Sequence, residues 1–320
     1  MTASSQALAR MRAELGQVSW SARQFSRPAR WSVLRRVVSG MALPDLPRSR
    51  RKAGAIWAVS VVRDEADIVE LVIDHLLAQG VDGILIADNR SVDGTRELLR
   101  QRASGDPRVH VAIDAEPAHH QSEKISWLAH HAWRAGADWV VPFDGDEFMF
   151  AEGQSLGEHL RASDAGMIYA SFHHMVPTQV GPPTRETTFV MDTAPAFPGK
   201  VVLRSHPLAV VASGNHEAFR TGPVRVGLHV AHAIYRSPVQ VARKLRQGAA
   251  AESLAAERIH IKRGEHWISG AALGDQQIEK IWHRMVTGRP APEVGFPAVG
   301  PMANVKPLQW TSWNSSGELP

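Results

Sequence analysis

Asp144-Gly145-Asp146-Glu147 sets three carboxylates between two apolar runs, Trp139-Val140-Val141-Pro142-Phe143 before and Phe148-Met149-Phe150 after. Unpaired carboxylates between apolar segments are costly, so a compensating cation is expected among them. Two aspartates one residue apart at a strand end suit a hard divalent cation, Mn2+ or Mg2+. Through that cation they suit the two phosphates of a diphosphate leaving group. Gly145 between them lets the backbone turn sharply and approach phosphate closely. On this reading Asp146 ligates the metal, and Asp144 reaches metal or a ribose. The plainer alternative is a solvated, inert acidic turn.

A second constellation is Asp88-Asn89-Arg90-Ser91-Val92-Asp93-Gly94-Thr95, which follows the apolar run Ile84-Leu85-Ile86. A carboxylate and an amide at a strand end can pair with a nucleobase or ribose edge, while Asp93 and Thr95 can cap the next helix. Simple turn and capping chemistry is the alternative for the whole loop. Lys124 could offset diphosphate charge, or stand as an ordinary solvated lysine.

The elements that must position these residues alternate from Ile56 onward between short apolar runs and amphipathic stretches, the pattern of an α/β layer fold with a mainly parallel sheet. Strands are expected at Ile56 to Val62, Gly83 to Ala87, Val109 to Ile113 and Trp139 to Phe143. Helices are expected from about Asp67 to Gln79, from Arg96 to Arg102 and from Ser122 to Ala135. Asp88 and Asp144 then both fall at carboxyl ends of strands, the edge where open α/β sheets bind ligands. Beyond Ala151, prolines at 177, 182, 183, 195, 198 and 207 predict short strands and loops. Helices from about Pro238 to Gln247, extending toward Glu257, and from Asp275 to Val286 follow. A Pro/Gly-rich tail from Gly288 reads as extended. The expected organisation is an arm at 1–52, a domain at 53–287 with its helical part from about 238, and a tail at 288–320.

Four ordered segments resemble family 2-like glycosyltransferases of the GT-A fold. They are Val61-Val62-Arg63-Asp64-Glu65-Ala66-Asp67-Ile68, Leu77-Ala78-Gln79-Gly80-Val81-Asp82, Ala87 to Thr95, and Phe143-Asp144-Gly145-Asp146-Glu147-Phe148. The resemblance implies a Rossmann-like α/β domain with added C-terminal helices and a nucleotide-sugar donor. It also implies that Val62, Arg63 and Glu65 lie by the nucleotide, that Asp88, next to the candidate Asn89, meets base or ribose, and that Asp144 and Asp146 hold metal and diphosphate. Asp64 stands where the family usually has asparagine, and Gly145 where it commonly has alanine. Weaker similarity runs through Lys200 to Arg204, Gly214 to Glu217, His232 to Ser237 and Lys244 to Ala250. The family's late metal-binding histidine makes His216 and His232 candidate ligands. An inverting transfer needs a base for the acceptor hydroxyl, and Glu217, beside His216, is the candidate. The acceptor implied is a glycan or lipid-linked hydroxyl in cell-surface polysaccharide or glycolipid synthesis.

Two other readings stand beside this one: a non-catalytic nucleotide-sugar or glycan-binding scaffold on the same fold, and a diguanylate-cyclase-like enzyme suggested by Gly145-Asp146-Glu147-Phe148. The chain has no cysteine, which excludes thiolate metal sites, iron–sulfur clusters and cysteine nucleophiles. No apolar run is long enough to span a bilayer, and a cytoplasmic location is expected. The first 52 residues carry ten arginines and Lys52 against Glu14 and Asp45, interleaved with Trp20, Phe25 and Trp31. That arm is a candidate for peripheral contact with anionic lipid, or else a loosely docked extension; nucleic acid is not an expected partner.

Overall fold

The computed structural model describes residues 11–12, 14–19, 22, 28–256 and 265–314. In chain order, α1 (Pro28–Gly40) and the two-residue β1 (Met41–Ala42) lead into β2 (Ile56–Val62), α2 (Val69–Ala78), β3 (Gly83–Asp88), α3 (Thr95–Gly105), β4 (Val109–Asp114), α4 (Gln121–Arg134) and β5 (Trp139–Pro142). Then come β6 (Glu147–Ala151), α5 (Leu156–Ala162), β7 (Met167–Pro177), β8 (Phe189–Asp192), β9 (Ala196–Arg204), the short pair β10 (Val210–Val211) and β11 (Ala218–Phe219), and β12 (Val224–His232). The chain closes with α6 (Pro238–Ala256), α7 (Glu265–Gly270), α8 (Asp275–Val286) and β13 (Met302–Val305).

The central sheet has the order β1-β4-β3-β2-β5-β9-β7-β12-β6. Strands β4, β3, β2 and β5 are parallel, as the alternating pattern requires. Beyond β5 the sheet becomes mixed: β9 runs antiparallel to β5 and β7, β12 is parallel to β7, and β6 is antiparallel to β12. Alternate residues of β2 and β3 enter opposite cores. Ile56, Ala58, Ile84 and Ile86 pack toward α2, while Trp57, Val59, Leu85 and Ala87 pack toward α1 and α4. Both faces are therefore covered, and these strands read as continuous apolar runs.

The second half of the chain departs from the sequence expectation. Alongside the expected short strands β8, β10 and β11, three long ones form: β7 spans 11 residues and β9 and β12 span 9 each. Histidines 173 and 174 lie buried inside β7 and hide its apolar pattern. Pro177 ends β7, and Pro198 sits in β9 where the ladder to β7 shifts register between Lys200 and Ala196, so the sheet continues past it.

The described parts of the arm and the tail both pack on the rest of the fold. Val33, Val37 and Met41 bury into the core beside α4, and Arg36 pairs with Glu116 at 3.1 Å. Glu14 accepts from Arg220 at 2.5 Å. The i, i+4 apolar pair Val33 and Val37 docks helix α1, and Arg30 and Arg36 pair with Glu123 and Glu116 beside it. The tail folds back: β13 pairs with β8, and Val294, Phe296, Val305 and Trp310 are buried. Glu257 and the aromatic residues Trp20 and Phe25 lie outside the described residues.

Candidate active site

The carboxyl ends of β2 and β5 meet at one cleft of about 750 Å3. Val62 at the end of β2 and Arg63 and Glu65 in the loop after it line the cleft, with Asp144, Gly145 and Asp146 from the turn after β5. That turn is closed by Glu147 N donating to Asp144 O at 3.1 Å, while Asp144 N donates to Glu147 Oε2 at 3.1 Å. Gly145 is needed at close quarters: a Cβ there would meet Val62 Cγ1 at 2.9 Å and Glu65 Cγ at 3.1 Å. The turn joins strands that do not pair with each other, since β5 lies between β2 and β9 while β6 is the far edge beside β12. A cyclase-type hairpin is thus not what presents Gly145 to Phe148.

Each carboxylate of the turn faces a protein cation, Asp144 and Glu147 sharing Lys200 and Asp146 meeting Lys244. Asp144 accepts from Gln121 Nε2 at 3.0 Å and Asn215 Nδ2 at 3.1 Å on one oxygen, and from Lys200 Nζ at 2.8 Å on the other. Burial opposes its ionisation, yet Lys200 outweighs this and holds it below the usual carboxylate range. Asp146 is buried, bonded by Lys244 Nζ, with His232 Nε2 at 3.4 Å and Arg236 Nη1 at 3.6 Å. Burial would raise it, but Lys244 and His232 drive it well below the ordinary value. Glu147 is pushed up to about 8 by burial, against Lys200, whose Nζ lies 2.6 Å from Oε1 without the alignment of a hydrogen bond. Glu65, bonded by the fully buried Arg236, is pushed up to about 7, again chiefly by burial.

Three elements carry these cations. Lys200 lies on β9, Arg236 on the segment after β12, and Lys244 on α6. Arg236 also donates to both oxygens of Asp67, at 2.7 and 2.9 Å, and so ties the β2–α2 loop to the acidic turn. The sequence named the segments around Lys200, Arg236 and Lys244 but gave these side chains no role. The available signal was Lys200 itself, a lysine followed by Val201-Val202-Leu203, which can be buried only against a carboxylate.

The other expected site residues divide sharply. Asp88 does not reach the cleft: it is buried, accepting from Arg96 Nε at 2.7 Å and Ser91 N at 3.3 Å. Asn89 and Lys124 both line a smaller pocket of about 180 Å3 beside the cleft. Asn89 donates to Asp114 Oδ2 and Glu116 O, each at 2.8 Å. Lys124 is buried against the same groups, 2.7 Å from Asp114 Oδ2 and from Glu116 O, and is not an ordinary solvated lysine. The loop 88–95 instead braces the loop after β2: Ser91 Oγ accepts from Asp64 N at 3.0 Å, Thr95 Oγ1 from Glu65 N at 2.9 Å and Asp93 from Ala66 N at 3.1 Å. Asp64 takes φ 55°, a left-handed conformation that Asp and Asn adopt most readily among residues with a Cβ.

His216, Glu217 and His232 all line the cleft. His216 is held by Gly199 O at 2.8 Å, and Glu217 is exposed. His232 Nδ1 meets His174 Nδ1 at 3.1 Å, extending a chain from Asp146 through two imidazoles on β12 and β7. Burial keeps both imidazoles from charging easily. The donor set expected for a divalent cation does not fit as placed. Among the described residues no three His, Asp or Glu side chains gather as ligands, and one oxygen of each aspartate is engaged by an ammonium group, Asp144 Oδ2 by Lys200 and Asp146 Oδ2 by Lys244.

No family model and no curated protein matches this chain. Among solved structures, the mannosyltransferase PcManGT from Pyrobaculum calidifontis in complex with GDP-Man and Mn2+ aligns over 88% of this chain and 89% of its own, at 13% identity and a TM-score of 0.36. S. aureus TarS 1–349 with UDP aligns over 72% and 70%, at 10% identity and TM-score 0.35. The same protein with UDP-GlcNAc aligns over 72% and 71%, at 11% and 0.36. Among the described residues no helix is long and apolar enough to cross a membrane.

Proposed function

We propose that the cleft binds a nucleotide sugar and transfers its sugar to a hydroxyl of a glycan or lipid-linked acceptor, with inversion. The observation that carries this reading is the meeting of the β2 and β5 carboxyl ends in one cleft. There Val62 and Glu65 close directly on Gly145, between the two aspartates. Such an edge is the ligand side of a parallel sheet. In the reaction the bond between the anomeric carbon and the phosphate oxygen breaks, and the acceptor oxygen bonds to that carbon. The hydroxyl proton passes to Glu217, exposed on the cleft wall, and the nucleoside diphosphate departs with the bonding pair.

The test offers a panel of UDP-, GDP-, dTDP- and CDP-sugars with mixed glycan and lipid acceptors and follows release of nucleoside diphosphate. Turnover of one donor, lost in Asp144→Asn and lowered about 100-fold or more in Glu217→Gln, is the expected result. Release from none of the donors, with nucleotide still bound, would leave the chain a binding scaffold.

A further inference from the structure

Resting on that reading, we infer that this cleft binds the donor diphosphate without a divalent cation, with Lys244 and Arg63 supplying the positive charge. A metal at Asp144 or Asp146 would have to sit within about 2.0 to 2.6 Å of a carboxylate oxygen. Lys200 Nζ already stands 2.8 Å from Asp144 Oδ2, and Lys244 Nζ is bonded to Asp146 Oδ2.

Lys200 has nowhere else to go. Its side chain is 3% exposed, and it is surrounded by Asp144 Oδ2, Glu147 Oε1 and, at 2.8 Å, the Gly214 carbonyl. Admitting a metal at Asp144 Oδ2 would bring a divalent charge against this buried ammonium and take from it one of its two carboxylate partners. Asp146 is held in the same way from two sides, since Arg236, fully buried, faces it at 3.6 Å and is fixed by Glu65 and Asp67. The two aspartates are thus occupied as anchors for cations that belong to the protein.

Two cations remain partly open to a ligand. The Lys244 side chain is 26% exposed and makes, besides Asp146, only a 3.2 Å bond to Ile234 O. Arg63 is 33% exposed, its Nε is buried without a hydrogen-bond partner, and its ion pair with Asp64 is a long one, Oδ2 standing 3.8 Å off. Both line the cleft between Val62 and Asp146, and both also line the adjoining pocket. A guanidinium and an ammonium flanking one space match the fork and the point charge that bind phosphate oxygens.

The deciding experiment is calorimetry of UDP, GDP, dTDP and CDP into wild-type protein, Arg63→Gln and Lys244→Met, each in EDTA and in Mn2+, with thermal midpoints measured alongside. Wild type is expected to bind one nucleotide with affinities in EDTA and Mn2+ agreeing within about threefold, and Arg63→Gln to lose at least tenfold in both. Arg63 is partly exposed and outside the Asp146 cluster, so its variant stays informative if Lys244→Met unfolds. Binding that appears only with Mn2+ overturns the inference and leaves the proposed function standing. Equal affinity of Arg63→Gln and wild type overturns the assignment of the diphosphate cation. No binding of any nucleotide in either buffer overturns the proposed function and the inference with it.

Discussion

At the scale of single residues, the site is governed by close approach and by paired charge. Gly145→Ala would place a methyl 2.9 Å from Val62 Cγ1 in a packed wall, and overpacking of this kind costs roughly 1 to 3 kcal/mol. A urea titration unchanged from wild type would show that the wall gives freely. Asp146 and Asp144 should behave differently when neutralised. Asp146 is buried with Lys244 and Arg236 against it, so Asp146→Asn strands buried charge and is expected to cost about 3 to 5 kcal/mol. Asp144 is 30% exposed and keeps amide partners, so Asp144→Asn should cost less. Equal unfolding midpoints for the two variants would contradict this ordering. The acidic turn itself was legible in the sequence because carboxylates between apolar runs demand compensation. Its compensating charges were not, because Lys200, Arg236 and Lys244 come from 50 to 100 positions further along the chain, and only the fold brings them there.

At the scale of elements, the parallel half announced itself through unbroken apolar strands and amphipathic helices, and the expected β2 matches the observed Ile56–Val62. The 88–95 loop shows where motif reading stops. Its residue types suit ligand edges and backbone N–H groups alike, and the neighbouring β2–α2 loop presents the N–H groups. Helix α2 is joined to β6 by His75, which bonds Met149 O at 2.8 Å and lies edge-on to Phe148. Burial chiefly lowers this imidazole from 6.5 to about 4, with Met149 O opposing and Arg185 assisting. Between those values the unfolded chain binds the proton and the folded chain does not, so stability falls as pH falls through that window. Wild type should therefore lose stability relative to His75→Gln between pH 6.5 and 4, read from urea midpoints. Parallel curves across that range would mean His75 is not buried neutral.

At the scale of the whole molecule, the two ends of the described chain belong to the domain that holds the site. Val33, Val37 and Met41 enter one core from the basic segment, which leaves arginines on its outside and gives the like-charge run a structural place as well as a surface. The tail does more, because it backs the elements that carry Arg236 and Lys244. Tyr235 Oη donates to Val294 O at 2.6 Å, and Phe296 packs with Leu245, Trp282 and Met285 in a separate apolar cluster between the tail, α6 and α8. Prolines and glycines from Gly288 onward concealed this, since isolated apolar residues between them have no period to reveal a packed face. Truncating one of those residues should therefore reach the cleft from outside it. Phe296→Ala removes a fully buried aromatic and is expected to cost about 3 to 5 kcal/mol. As the α6 contacts loosen, Lys244 loses its fixed placement, and nucleotide affinity should fall even where the variant remains folded. Calorimetry on Phe296→Ala below its unfolding temperature separates the outcomes: a weakened affinity ties the tail to the site, and a wild-type affinity confines its role to stability.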